Sequence, residues 1–461
     1  MTDSGRDGLF SGLFDRGAVG TGDAAWLQAM LDAEAGLARA LERAGLAAAG
    51  AGAAVTAAAA ASQFDAAELG RQAVLTGNPV PALVRALSAR VPPDAREAVH
   101  RGATSQDIID TAAMLIANRV LRAVTGDLRA AADRAAELAE QHADTVMAGR
   151  TLLQQAVPVT FGLVAAGWMI SIDEARAELD NVRATGLAVQ FGGAAGTLAS
   201  LGSAGLAVTT LFAEEVGLPE PVLPWHTDRQ RILRLAAALA RACAAVGKMA
   251  RDVTLLAQTE IGEVAESAGD PGRGGSSAMP QKRNPVTSVV ILGCARRAPG
   301  LLATLAAASE HELQRAAGAW HAEWEPLSDL LRLTGSAASW SAELLAGLRA
   351  DPTRMRANLD AAGGLPLAEH LAAVLAPHLG RLAAHDLVRD AAAGAVRDGL
   401  SLPAAMLADP AASGKLAAAG LTRADLEAAV EPTAYLGTSA VLVRRALTAH
   451  RAGAAERSTS E

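Results

Sequence analysis

Aromatic residues make up only 3% of this 461-residue chain, and Tyr435 is its one tyrosine. Cysteine is equally scarce: Cys243 and Cys294 are the only two. They form no close pair in sequence and sit in apolar helical contexts, so they read as buried thiols. A disulfide framework or a cysteine-based zinc site is excluded. An excess of positive charge is missing too. Forty-one Lys and Arg against 49 Asp and Glu leave a formal charge of −8. That argues against nucleic acid or an anionic membrane as the main partner, because both need a basic surface. None of three long uncharged stretches is the strongly apolar run of ~20 residues that a membrane span needs. Residues 44–64 are mostly Ala and Gly. Residues 151–172 carry Gln154, Gln155 and Pro158. Residues 184–213 are interrupted by Gly192, Gly193, Gly196, Gly202 and Gly205. The opening MTDSGRDGLF has two acids and no leader-like apolar stretch, so a cytoplasmic location is expected. No strand-period alternation stands out.

What is present is alanine and helical periodicity. Hydrophobic residues are 51% of the chain, which excludes a largely disordered protein. Much of that share is Ala, the best helix former. Leu27, Met30, Leu31, Leu37, Ala38 and Leu41 recur at helical spacing. A Gly-Asn-Pro turn at 77–79 precedes a helix, and another is expected to restart after Pro92 and Pro93. From about 108 to 350 the pattern predicts long helices with few prolines. Beyond Asp351-Pro352 the helices become short, broken by Gly363-Gly364, Pro366, Pro403 and Pro410. The expected fold is all-α, with an N-terminal helical domain (1–107), a central long-helix bundle (108–350) and a small C-terminal helical domain (351–461). The uncharged stretches 151–172 and 184–213 read as helices buried on nearly all sides. Such helices favour an oligomer with a shared core.

The most informative segment is GRGGSSAMPQKRNPV, residues 272–286. Its glycines let backbone N–H groups turn towards an anion. Pro285 stands at a plausible first position of a helix, whose N-terminus favours negative charge. From Pro271 to Ser309 there are five cations (Arg273, Lys282, Arg283, Arg296 and Arg297) and no acid. In an acidic protein this is a local anion trap. A flexible surface loop with solvated basic residues carries the same composition.

GSSAMPQKRNP resembles the signature loop of the fumarase/aspartase superfamily, G-S-S-x-M-P-x-K-x-N-P, at every fixed position. The resemblance implies that Ser276 is the catalytic serine, and that Lys282 and Asn284 meet a substrate carboxylate. VHRGATSQDIID (99–110) is similar to the superfamily's H-x-G-x-T-S-x-D motif. It places His100, Thr104 and Ser105 near the substrate, with Asp107 orienting the turn; an ordinary helix cap is the plainer reading of the same residues. GRTLLQQAVPVTFG (149–162) is similar to G-R-T-H-x-Q-x-A-x-P, which brings in Thr151 and Gln154. Further local matches, including LPWHTDRQRI, RAAGAWHAEWEPL and AYLGTSAVLVRRAL, look like the carboxymuconate cycloisomerase branch and extend the resemblance over essentially the whole chain. On that resemblance Asn78, His226, Arg315 and His321 join the substrate-binding candidates. It implies a homotetramer with active sites shared between chains, a small polycarboxylate substrate, and neither metal nor organic cofactor.

One departure bears on the chemistry. Leu152 stands where the adenylosuccinate and argininosuccinate lyases carry a histidine. An amine leaves only when protonated, so C–N cleavage needs a general acid. A carboxylate, with a conjugate acid of pKa ~4, leaves unaided. That is compatible with a lactone whose ring oxygen leaves as carboxylate. The resemblance to the cycloisomerase branch implies lactonisation of 3-carboxy-cis,cis-muconate and its reverse, in protocatechuate breakdown by the β-ketoadipate route. Expulsion of another stable anion, such as nitrite from a succinate derivative, is the alternative. A scaffold kept for assembly without catalysis is the rival outside enzymology.

Overall fold

The computed structural model describes residues 9–17, 20–267 and 273–458, with side chains to 453. Most of the opening decapeptide and of the glycine run before Arg273 thus lies outside the described residues. The long helices expected in the middle of the chain are present: Ser105–Gln141, Phe161–Asn181, Gln230–Leu256, Val286–Ala307 and Ala319–Gly347. The shorter C-terminal helices follow, from Pro352–Asp360 to Ser439–Ser458.

The chain divides into two compact units, each assembled from separate stretches. The first comprises 1–130, 172–250 and 287–343. Its helix Asp23–Arg43 begins with an acid in the first turn and ends with a base in the last, both favourable to the helix dipole. All six residues that marked its apolar stripe are buried, Leu31, Leu37, Ala38 and Leu41 completely. Cys243 and Cys294 lie buried in this unit as free thiols. Burial raises both pKa values, Cys243 to about 12 and Cys294 to about 11.

The second unit comprises 131–171, 251–286 and 344–461. Leu371, Leu375, Leu402, Met406, Leu416 and Leu426 form one core cluster among its C-terminal helices. His142, Phe161 and Trp168 pack edge to face in a chain, with centroids 5.4 and 5.7 Å apart. The Trp168 indole donates to Asp252 at 2.6 Å.

Three expectations are corrected. Residues 151–160 are not helical: Val146–Thr151 and Gln154–Thr160 form an antiparallel hairpin. β-Branched residues along the strands and Pro158, which removes a helix donor, favour this pairing. Leu152 and Leu153 form its two-residue turn at φ +50° and +65°, and both are exposed. A second short pair joins Val264–Glu266 to Leu348–Ala350. Residues 184–204 run as a π-turn, extended chain and 3-10 turns, and only Gly205–Val216 is a regular helix. Four of the five glycines that break the apolar run, Gly192, Gly193, Gly196 and Gly202, lie in this irregular stretch and break the helix. After Pro92 the chain forms a 3-10 segment, Pro93–Ala98, rather than an α-helix.

Arg150 anchors the hairpin. Its guanidinium donates to both oxygens of fully buried Glu263, at 2.9 and 2.6 Å. Asn358 adds a third donor at 2.8 Å. Arg150→Ala removes two of these three donors. It is expected to lower unfolding stability by about 3 kcal/mol, measured by denaturant titration, with Arg150→Lys intermediate.

Candidate active site

The site residues of the first unit are organised by one carboxylate. The helix Ser105–Gln141 starts immediately after Thr104. Asp107 in its first turn accepts the Thr104 N–H at 2.9 Å, as a first-turn acid does for a capped helix. The same carboxylate accepts Gly192 N–H at 3.0 Å, Gly193 N–H at 2.9 Å and the His226 Nε2 contact at 2.6 Å. Gly193 has φ +68°, and a Cβ there would lie 2.8 Å from the Gly102 carbonyl, so only glycine brings this loop close enough. Asp107 thus serves both as cap and as orienting group. Thr104 and Ser105 are half-buried, and no hydrogen bond occupies their hydroxyls among the described residues. At the N-terminus of a long helix they present hydroxyl donors to an anion.

His226, expected at the substrate, is buried beneath this turn with its Nε2 spent on Asp107. Arg315 is half-buried and also turned inward. It donates to Gln106 Oε1 at 2.7 Å and to the Gly193 and Ala194 carbonyls at 3.2 and 2.8 Å. Burial lowers its pKa, against the pull of Asp107 and Asp110. Here Arg315 braces the loop that Asp107 also holds. His321 is exposed. Its Nε2 contacts the Gly77 carbonyl at 3.0 Å and its ring lies 4.7 Å from Trp324. Asn78, next in chain, accepts the Val80 N–H at 3.1 Å and turns the chain into the helix Val80–Ser88.

His100 has φ +58°, and its backbone N–H and Nδ1 both meet Glu34, at 2.9 and 2.7 Å. Burial opposes the charged ring, but the Glu34 hydrogen bond and the charges of Glu34 and Asp107 outweigh it, and the His100 pKa is raised.

One turn along from Asp107, a second set of charges is buried. Asp110 accepts from Arg229 at 2.8 and 3.1 Å, from Trp320 Nε1 at 3.1 Å and from Gln106 at 3.0 Å. Arg229 also grips Glu323, with contacts of 2.6 to 3.2 Å. Burial raises the Glu323 pKa against the hydrogen bond and charge of Arg229. Trp320 and Trp324 meet at 89°, centroids 4.9 Å apart. Glu34, Asp110 and Glu323 escaped the motif reading. For Glu34 the signal was a lone acid on an otherwise apolar helix face, flanked by Met30, Leu31, Leu37 and Ala38.

In the second unit, Ser276 Oγ accepts the N–H groups of Ala278 at 3.3 Å and Met279 at 3.2 Å. Two main-chain dipoles therefore already point at the hydroxyl oxygen. The loop closes through a bridge between Gly275 and Arg283. The Gly274 carbonyl takes both Asn284 N–H at 2.8 Å and Asn284 Nδ2 at 3.1 Å. Gly274 has φ +71° and leaves no room for a Cβ, 2.5 Å from the Asn284 carbonyl. Asn284 is thus a loop clamp in this structure. Lys282 is exposed. Thr151 and Gln154, expected to be buried, are exposed partners at the end of the hairpin, because the turn lifts them outward. Among the described residues no group of three or more His, Cys, Asp or Glu is placed to hold a metal ion.

Known proteins resemble this chain over nearly its whole length. Residues 86–300 match the Lyase family, and residues 364–446 match the adenylosuccinate lyase C-terminus. A 3-carboxy-cis,cis-muconate cycloisomerase of Bradyrhizobium diazoefficiens is 45% identical, covering 92% of this chain and 94% of its own. A nitrosuccinate lyase of Streptomyces davaonensis is 44% identical, over 92% and 90%. The crystal structure of 3-carboxy-cis,cis-muconate lactonizing enzyme from Pseudomonas putida superposes with a TM-score of 0.88 at 40% identity, covering 96% of this chain and 99% of that one. The chain belongs to the lyase family of the fumarase/aspartase superfamily, in the group that holds the 3-carboxy-cis,cis-muconate cycloisomerases.

Proposed function

We propose that the protein interconverts 3-carboxy-cis,cis-muconate and 4-carboxymuconolactone. The observation that carries this reading is the serine loop, whose hydroxyl oxygen is already met by two backbone N–H donors. A free serine is too weakly acidic to exchange a proton with carbon. Donors fixed on its oxygen stabilise the alkoxide, as they stabilise any developing oxyanion. In lactonisation one substrate carboxylate adds to the diene and forms the ring C–O bond. The electron pair moves into a neighbouring carboxylate as an enolate-like dianion. Ser276 then delivers its proton to the adjacent carbon. In reverse it removes that proton and the ring oxygen leaves as carboxylate. In this reading Lys282, with Thr151 and Gln154, and the hydroxyls of Thr104 and Ser105 are drawn from different chains of the assembly and offset the charge that accumulates. Leu152 offers no proton, and a departing carboxylate needs none.

The active unit in this reading is a homotetramer. Two features support it. The helix Val286–Ala307 is long and apolar enough to cross a membrane by length and composition, yet only 22% of its most apolar stretch is buried in the single chain. The Leu152–Leu153 turn is strained and solvent-facing, the kind of backbone retained where function demands it. Packing between chains would cover both.

Two outcomes are expected. Ser276→Ala lowers kcat by about 10³-fold and leaves a tetramer in light scattering; near-normal turnover would remove the proposed proton donor. In parallel assays on carboxymuconate, adenylosuccinate and nitrosuccinate, diene absorbance is lost and neither amine nor nitrite is released. Nitrite release alone would assign the chain to the other chemistry found among its relatives.

A further inference from the structure

Glu34 is fully buried in the helix Asp23–Arg43, among Leu27, Met30, Leu31, Leu37 and Leu41. Withdrawing a carboxylate from water is costly unless its partners are well placed. Its only hydrogen-bonding partners among the described residues are both on His100, the main-chain N–H through Oε2 and the ring Nδ1 through Oε1. One side chain therefore fixes both the left-handed backbone of His100 and the plane of its ring. A carboxylate at Nδ1 requires the proton there, so the ring keeps one variable edge, Nε2. No residue among those described occupies it. His100 belongs to the same turn as Thr104 and Ser105, closed by the Ala103 N–H on the His100 carbonyl at 3.3 Å.

We propose that Glu34 is a positioning residue: it holds His100 so that Nε2 presents a proton to a substrate carboxylate beside Thr104 and Ser105. The inference rests on the polycarboxylate reading above. The charged groups that face the ring are Glu34 from its own side and Asp107 from the helix Ser105–Gln141; neighbouring Arg101 turns away to the Leu46 carbonyl. Both facing charges favour the imidazolium against burial. Its contribution is thus present at low pH and lost as pH rises through the elevated pKa of His100.

The test compares wild type, Glu34→Gln, His100→Asn and the double variant between about pH 5.5 and pH 9, a range that spans imidazole titration. In wild type, kcat/KM falls along an alkaline limb set by His100. In Glu34→Gln that limb moves to lower pH by about one unit, and KM at neutral pH rises about tenfold with kcat within about threefold. Glu34→Asp, which keeps the charge, restores the limb. The double variant is no worse than His100→Asn, because Glu34 acts through the ring. An unmoved limb in folded Glu34→Gln, or losses that add in the double variant, overturns the proposal. If Glu34→Gln does not fold, a limb that persists in His100→Asn overturns it, and its disappearance supports it. Calorimetric binding of tricarballylate separates this inference from the functional reading. Affinity that declines with pH in wild type and less so in His100→Asn supports the dyad even if the enzyme fails to turn over carboxymuconate; pH-independent binding overturns it.

Discussion

A carboxylate shut away from water must find all its donors in the protein, and Asp107 finds them in three stretches of chain. Thr104, the Gly192–Gly193 pair and His226 all converge on two oxygens. Segments 85 and 119 residues further along the chain are thereby drawn to the start of one helix. The turn that exposes Thr104 and Ser105 is the visible product of that convergence. Because the acceptor is fully satisfied from behind, it does not compete for the hydroxyls in front.

The next turn of the same helix repeats the device with larger charges. Asp110, Arg229 and Glu323 form a buried line, joined by Gln106 and Trp320. Such networks contribute little net stability compared with apolar packing, but they reject arrangements in which any member is left alone. Here rejection serves geometry. Arg315, braced on Gln106 and on the Gly193 and Ala194 carbonyls, links this line to the glycine loop that Asp107 holds.

The helical fold and the local form of the serine loop were legible in the sequence, for different reasons. Apolar spacing in Asp23–Arg43 marks a half-buried helix directly, and its stripe is the buried one. The serine loop was legible because glycine, serine and proline impose local geometry. What misled was apolarity without periodicity. Residues 151–160 and 184–204 are rich in apolar and small residues, and in an alanine-rich chain that suggests buried helix. Pairing across the hairpin and the backbone freedom of glycine decided otherwise, and neither shows in composition. The roles of His226 and Arg315 were also beyond motif reading. A residue type that suits an anion suits a neighbouring carboxylate or carbonyl equally well, and only distances separate the two.

Cys243 and Cys294 have a practical bearing. Neither sulfur reaches solvent, and burial keeps both protonated across the neutral range. Alkylating reagents and mild oxidants therefore find nothing to attack in the native state. Thiol labelling of this protein becomes a clock for opening of its first unit, independent of any assay of turnover.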